Sequence, residues 1–362
     1  MPLHPALLRF ATSSLTPAPL LILGAAFGGV WIWAALIYIT VFAALMDRLA
    51  LPAAAKADMD AEFPAGDGLL IALAIAHMVL LPLGVLSVAG EAAPKGAERI
   101  AAFIAFGLCF GQITNPVAHE LIHRGNAWLN RLGVLLYITL LFGHHASAHR
   151  HVHHLHVGTA RDPNSARRGQ SFYAFAPRAW IGSFRAGLTA ENARPRHGIH
   201  PYAIYLGGAA ICCLLALLVA GWPGLFAYLG LALYATNLLL LSDYVQHYGL
   251  TRALRPDGRP ERIGPQHSWN ASQPFSAAMM LNAPRHSDHH AHPSRPYAAL
   301  ALPPQAPRLP RSLPVMATAA LIPPLWRRIM HPRLDRLAQS SRESDGAGAG
   351  ALGTDLAILP HG

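Results

Sequence analysis

Charge is scarce in this chain: only 13% of its 362 residues are Asp, Glu, Lys or Arg, against about a quarter in a soluble domain. That shortage, with 53% hydrophobic residues, excludes an ordinary water-soluble globule and makes a bilayer the expected solvent. Cysteine is scarcer still. Cys109, Cys212 and Cys213 all fall in apolar stretches and form no C-x-x-C pair. This excludes thiolate metal sites and a disulfide framework. Lysine is nearly absent: 26 of the 28 basic residues are Arg. No basic module with interleaved aromatics or helix-turn-helix pattern accompanies the formal charge of +10, so nucleic acid is not an expected partner. No G-x-G-x-x-G following a strand and no flavin motif occurs, so bound NAD, flavin or haem is not expected.

Long apolar blocks are present instead. A run of 18 or more apolar residues crosses the roughly 30 Å hydrocarbon layer as a helix. Such blocks predict six spans near residues 6–26, 28–46, 68–90, 100–118, 202–220 and 225–243. Pro17, Pro19 and Gly28-Gly29 are possible breaks in the first apolar stretch, and Gly221-Trp222-Pro223-Gly224 turns between the last pair. An even number places both termini on one side. The segments from His119 to Pro201 and from Asp243 onward share that side and carry ten and thirteen of the basic residues, which makes it cytoplasmic. A shorter run, 132–143, suits an interfacial or buried helix. The expected architecture is an all-α integral membrane domain over residues 1–338, with a cytoplasmic helical cap. The Ser-, Gly- and Ala-rich tail 339–362 reads as disordered.

Histidine is the anomaly, with 21 copies. His119-Glu120-Leu121-Ile122-His123 follows the fourth span and sets two imidazoles four apart on one helical face. Alone, H-E-x-x-H suggests a zinc protease. A second cluster follows. His149 and His153 stand one helical turn apart, with His154 beside them and free to turn toward a second metal. His286, His289 and His290 repeat the theme, and His247 stands where the sixth span ends. Nine histidines in four groups exceed the needs of one tetrahedral zinc, so two metals are implied. Imidazole suits iron, zinc, copper and nickel alike. Glu120, Asp162, Asp243 and Asp288 read as carboxylates that accept the second N–H of ligating imidazoles. His144, His145, His151, His156 and His292 lie outside the pattern, and His77, inside the third span, suits a hydrogen bond to a neighbouring helix.

The segments Asn115 to Arg124, His149 to His154 followed by Asp162-Pro163, His247-Tyr248-Gly249-Leu250 and Arg285 to Pro293 resemble, in that order, the histidine boxes of integral-membrane alkane hydroxylases. That family is related to xylene monooxygenases and, more distantly, to membrane fatty-acid desaturases. The resemblance implies two iron ions held by His119, His123, His149, His153, His154, His247, His286, His289 and His290. It implies O₂ as co-substrate and insertion of one oxygen atom into the terminal C–H bond of an n-alkane. It also implies electrons from a rubredoxin, reduced by an NADH-dependent rubredoxin reductase, in a bacterial inner membrane. The chain departs from the family pattern at Asp243, Gln246 and Ala283-Pro284, which bears on tuning and substrate choice. Tyr38, Ile39 and Phe42 in the second span are candidates to line the channel of a hydrocarbon drawn from the bilayer. A xylene-type or fatty-acyl hydroxylase, a desaturase and an intramembrane zinc protease are the alternatives.

Overall fold

The computed structural model describes residues 5–49, 64–90, 93–195 and 198–351. Among the described residues it is helical, with no strand, only two isolated bridges. Five helices are long and apolar enough to cross a membrane: α1 (Leu7–Phe27), α2 (Val30–Leu49), α3 (Gly66–Ala89), α4 (Ala97–Ile122) and, much the longest, Pro201–His247. Gly28 and Gly29 both take positive φ, 63° and 56°, a region other residues avoid, so the chain reverses between α1 and α2 where the sequence suggests.

The 47-residue helix would measure about 70 Å if straight, more than twice a hydrocarbon layer. It is not straight. Ala220 and Gly221 leave helical geometry, and the Cys212 side chain hydrogen-bonds Tyr228, sixteen positions later. Two limbs therefore lie side by side around the turn predicted at Gly221 to Gly224. Large apolar side chains such as Leu218, Val219, Trp222 and Phe226 cover its outside, more than half exposed, as expected of a surface facing lipid rather than water.

The limbs just described are α8 (Pro201–His247), and the cap elements are α5 (Ala127–Thr139), a helical run α6 over 145–156, α7 (Phe172–Asn192), α9 (Pro274–Met279), α10 (His286–Ala291), α11 (Leu313–Ala320) and α12 (Pro323–Ala351). Asn126 caps α5, its side chain accepting from the Trp128 and Leu129 N–H groups. α5 occupies the place of the short apolar run and packs on the end of α4. The last helix extends to Ala351, whereas the sequence reading took the chain to be disordered from residue 339. Trp326, Met330 and Leu334 bury one face of α12, and each residue added to a nucleated helix gains a hydrogen bond. Residues 352–362 of that predicted tail lie outside the described residues.

Among the described residues, three segments are wound as π-helix: Tyr38–Phe42, Phe110–Thr114 and His149–His153. The second has a local cause. Pro116 has no N–H to offer the Gln112 carbonyl, and the Asn115 side chain donates to the Gly111 carbonyl at 3.2 Å and to Ala235 on α8 at 2.8 Å. His77 is buried between neighbours, its Nε2 2.9 Å from Thr139 Oγ1 and its Nδ1 3.1 Å from Thr114 Oγ1. The Thr139 hydroxyl already donates to the Leu136 carbonyl. It therefore accepts from Nε2–H, while Thr114 donates to Nδ1.

Gly133 is where α5 touches α4 most closely. A Cβ there would stand 2.9 Å from the Ala118 carbonyl oxygen and from the Ile122 nitrogen, backbone atoms that cannot swing away. Gly133→Ala is expected to lower stability by about 1–3 kcal/mol, read as a fall in melting temperature in detergent. Gly207→Ala, with nothing within 4 Å, is expected to leave it unchanged.

Candidate metal centre

The four histidine clusters sit on α4, α6, the end of α8 and α10, and they converge. His119, His123, His149, His154 and His289 each contribute one ring nitrogen to a first group, and His153, His247, His286 and His290 to a second. Within each group these nitrogens lie within 4.8 Å of one another. All nine sequence candidates are brought together.

The partition differs from the one spacing suggests. On an α-helix His149 and His153 would share a face, but the turn between them is π-helical and pairs position i with i+5. His149 and His154 therefore face the same group, with Nε2 atoms 2.9 Å apart, while His153 turns to the other. α10 keeps α-helical spacing. His286 and His290 are 3.1 Å apart in the second group, and His289 reaches His154 in the first, also at 3.1 Å.

Several Nε2 atoms approach at 2.8 to 3.2 Å: His119 to His149, His123 to His154 and His247 to His286. Nitrogens about 2.1 Å from one ion and near right angles to each other stand roughly 3.0 Å apart, so these are separations that a shared cation produces. His153 Nε2 is buried with no hydrogen-bond partner, an unsatisfied lone pair directed at its group. The donor set and this orphaned atom fit a metal ion in each group.

Protonation states agree. Burial, reinforced by neighbouring imidazoles, holds His123, His149, His154, His286, His289 and His290 well below the ordinary histidine pKa, which keeps them neutral and able to ligate. His153 is the exception. Burial lowers its pKa, but Asp162 outweighs burial and the net shift is upward. The Asp162 carboxyl, for its part, is held below its ordinary value by His153 against the opposing effect of burial. Their contact, His153 Nδ1–H to Asp162 Oδ2 at 2.9 Å, leaves Nε2 free for a cation and fixes the ring's orientation.

The other carboxylates are engaged elsewhere. Glu120 accepts from the Tyr297 N–H and pairs with Arg124 at 3.2 Å. Asp243 accepts from Asn164 at 2.6 Å. Asp288 takes both oxygens to Arg295 and one to His292 Nδ1. Glu120 and Asp288 thereby hold the backbone at Tyr297 and Ala301, and Asp243 holds the Asn164 side chain. Sequence reasoning missed the supports that replace them. His247 Nδ1 faces the His267 carbonyl at 3.4 Å, and Asn270 bonds both the backbone and the hydroxyl of Ser287, anchoring α10. Neither lies in a recognisable motif. His145 also comes close, its ring centroid 5.0 Å from that of His149, yet it belongs to neither group.

Above the nitrogens lies a cavity of about 170 Å³, with His119, His149 and His286 at its base and Leu108, Gly111, Pro116, Leu238, Leu239, Met280, Leu313 and Ala317 among its walls. A groove of about 410 Å³ on the outer surface, lined by Phe103, Gly230 and Leu233, shares Tyr234, Leu238, Leu241 and Leu321 with it. Of the channel candidates, Ile39 lines a separate, adjoining cavity. Tyr38 and Phe42 stack on each other, 5.2 Å between centroids, and against Phe275.

Residues 99–333 match the family model for fatty acid desaturase. The chain is 35% identical over 318 residues to an alkane 1-monooxygenase of Pseudomonas aeruginosa, covering 83% of each chain. It is 34% identical to one of Alcanivorax borkumensis, over 66% of this chain and 64% of that protein. The chain belongs to the alkane 1-monooxygenase family, within the wider desaturase family. A xylene/toluene monooxygenase hydroxylase component of Pseudomonas putida is 32% identical over 60% of the chain. None of these likenesses is to a zinc protease.

Asp162→Asn removes the charge that orients His153 while keeping the shape. Metal affinity is expected to fall about 10- to 100-fold, read by metal content after dialysis against a chelator. The six depressed imidazoles stay neutral in the folded, metal-free chain while their unfolded counterparts gain protons below about pH 6.5. Stability of that form is therefore expected to fall between pH 7.5 and 5.5, followed by thermal melting.

Proposed function

We propose that this chain inserts one atom of O₂ into the terminal C–H bond of an n-alkane, giving a primary alcohol, with two iron ions and electrons from a rubredoxin. The observation that carries this reading is the pairing of two all-imidazole groups with an apolar cavity that opens directly onto them. An unactivated C–H bond offers nothing to an acid, base or nucleophile, and two iron ions, when bound, supply the oxidising chemistry from O₂ and two electrons.

His119, His123, His149, His154 and His289 are the ligands of one ion, and His153, His247, His286 and His290 of the other. Neutral rings fixed from behind, as Asp162 fixes His153, present their Nε2 lone pairs without rearrangement. The chain's remaining task is to position the substrate and keep it dry. Leu108, Leu238, Leu239 and Ala317 enclose an apolar chain, and exclusion of water suppresses side reactions at the site. The outer groove, which shares Tyr234, Leu238, Leu241 and Leu321 with the cavity, lies on a lateral route for a hydrocarbon from lipid.

The basic residues after His119 and after Asp243 favour a cytoplasmic metal centre in an inner membrane. An arginine-rich face of this kind steers an acidic electron carrier, which suits rubredoxin reduced by an NADH-dependent reductase. Asp162, and through the backbone Glu120, Asp243 and Asp288, support the ligands. Ile39 bounds the substrate region from α2, with Tyr38 and Phe42 setting its position by packing.

Membranes carrying the chain, supplied with rubredoxin, its reductase, NADH, n-alkanes and ¹⁸O₂, are expected to yield terminal alcohols containing ¹⁸O. His119→Ala is expected to abolish them. An alkene in place of the alcohol would assign the site to desaturation, and no product from any hydrocarbon would overturn the reading.

A further inference from the structure

The cavity above the imidazoles has a polar neighbour. A second cavity of about 160 Å³ lies between α2, α4, α9 and α11, and Leu108, Gln112, Pro314 and Thr318 form a wall common to both. Asp47, Gln112 and Ser276 line this second cavity. Three of their atoms, Asp47 Oδ2, Gln112 Oε1 and Ser276 Oγ, are buried and have no hydrogen-bond partner among the described residues. Gln112 is 9% exposed and Ser276 1%, so bulk water does not satisfy them.

The cavity is rich in acceptors. The Thr40 and Thr318 hydroxyls, also in its lining, spend their hydrogens on the Leu36 and Pro314 carbonyls of their own helices, leaving only lone pairs. Asp47 Oδ1 is occupied by the Phe275 and Ser276 N–H groups, and Oδ2 is an acceptor. Burying these groups unpaired is costly, and a neutral hydroxyl, which donates to Asp47 Oδ2 or Gln112 Oε1 and accepts from the Ser276 hydroxyl, best suits the set. A carboxylate end would bring a second negative charge to Asp47.

Position makes the pocket useful. Leu108, Gln112, Asn115 and His119 are spaced by four, three and four along α4 and all line the first cavity, so they mark one face. Gln112 precedes His119 by seven residues, about 10 Å along a helix. That length is spanned by about eight extended carbons at roughly 1.3 Å each along the chain axis. A molecule whose methyl end lies at the imidazoles thus places its other end at Gln112.

We propose that Asp47, Gln112 and Ser276 form a subsite for the hydroxyl end of a medium-chain 1-alkanol, so that the enzyme hydroxylates the far methyl group and releases an α,ω-diol. This rests on the alkane-hydroxylase reading above. The reaction consumes O₂, two electrons from the same donor protein and two protons. One C–H bond becomes C–OH, and the second oxygen atom leaves as water.

The test uses the full chain in membranes with rubredoxin, reductase and NADH, offering n-octane, 1-octanol and octanoate separately and identifying products by mass spectrometry. The parent protein is expected to convert octanol to 1,8-octanediol and to use octanoate poorly. Ser276→Ala, which alters only the polar cavity, is expected to leave octane turnover unchanged. In both Ser276→Ala and Gln112→Leu the ratio of kcat/KM for octanol to that for octane is expected to drop roughly tenfold, the loss of a buried hydrogen bond to substrate. Octane oxidised without octanol, or a ratio unchanged in both variants, would mean that the pocket holds only water and would overturn the subsite. Failure of the parent with octane as well as octanol would instead overturn the hydroxylase reading on which it rests.

Discussion

Nine imidazole nitrogens directed at two points impose the constraint that organises this molecule. Brought together without a cation, such lone pairs repel one another, and burial denies them water. Protonation would replace that repulsion with a cluster of like charges in a low-dielectric space. A metal ion in each group would satisfy all these nitrogens together. The membrane helices, the short cap helices and the buried Asn and Ser supports therefore serve to hold this convergence in place, and the apolar cavity exists where their walls leave room above it.

Much of this was legible in the sequence because the relevant signals are local. Hydropathy located the membrane helices, Gly28-Gly29 and the Gly221 turn marked reversals, and spacing singled out the nine histidines. What escaped depended on non-local or subtle geometry. The division of His149, His153 and His154 between groups follows from a π-helical turn that leaves no composition signature. Carboxylates near the ligands in sequence looked like their natural partners, yet among the four only Asp162 hydrogen-bonds one of the nine clustered imidazoles, while Asp288 reaches His292 outside the groups. Glu120 and Asp288 are drawn away by Arg124 and Arg295, residues whose proximity arises from the fold. Tyr38 and Phe42, candidates for the substrate channel, pack on a third aromatic, Phe275, from a distant segment, a contact that no local pattern signals.

The two cavities make a related point about how one scaffold separates chemical tasks. A single helix, α4, carries a ligand at one end and a polar side chain two turns earlier, with Asn115 between them tying the helix to α8. Because Pro116 frees the Gln112 carbonyl from the helical ladder, backbone irregularity, cavity wall and ligand placement all arise within about ten residues. Tightening that stretch into a regular helix would rotate Gln112 relative to His119, so substrate space and metal geometry are mechanically joined.

A π-helical turn amounts to one residue more than an α-helix needs over the same rise. The allotment of imidazoles between the two groups on α6 is therefore encoded by chain length as much as by residue identity. Removing Arg150, His151 or Val152 would bring His149 and His154 into ordinary four-residue spacing and swing everything beyond them by about 100°. All nine histidines would remain in the protein while the pattern that joins them was lost. A sequence comparison that counts matched histidines but overlooks such a gap would score the two chains as equivalent.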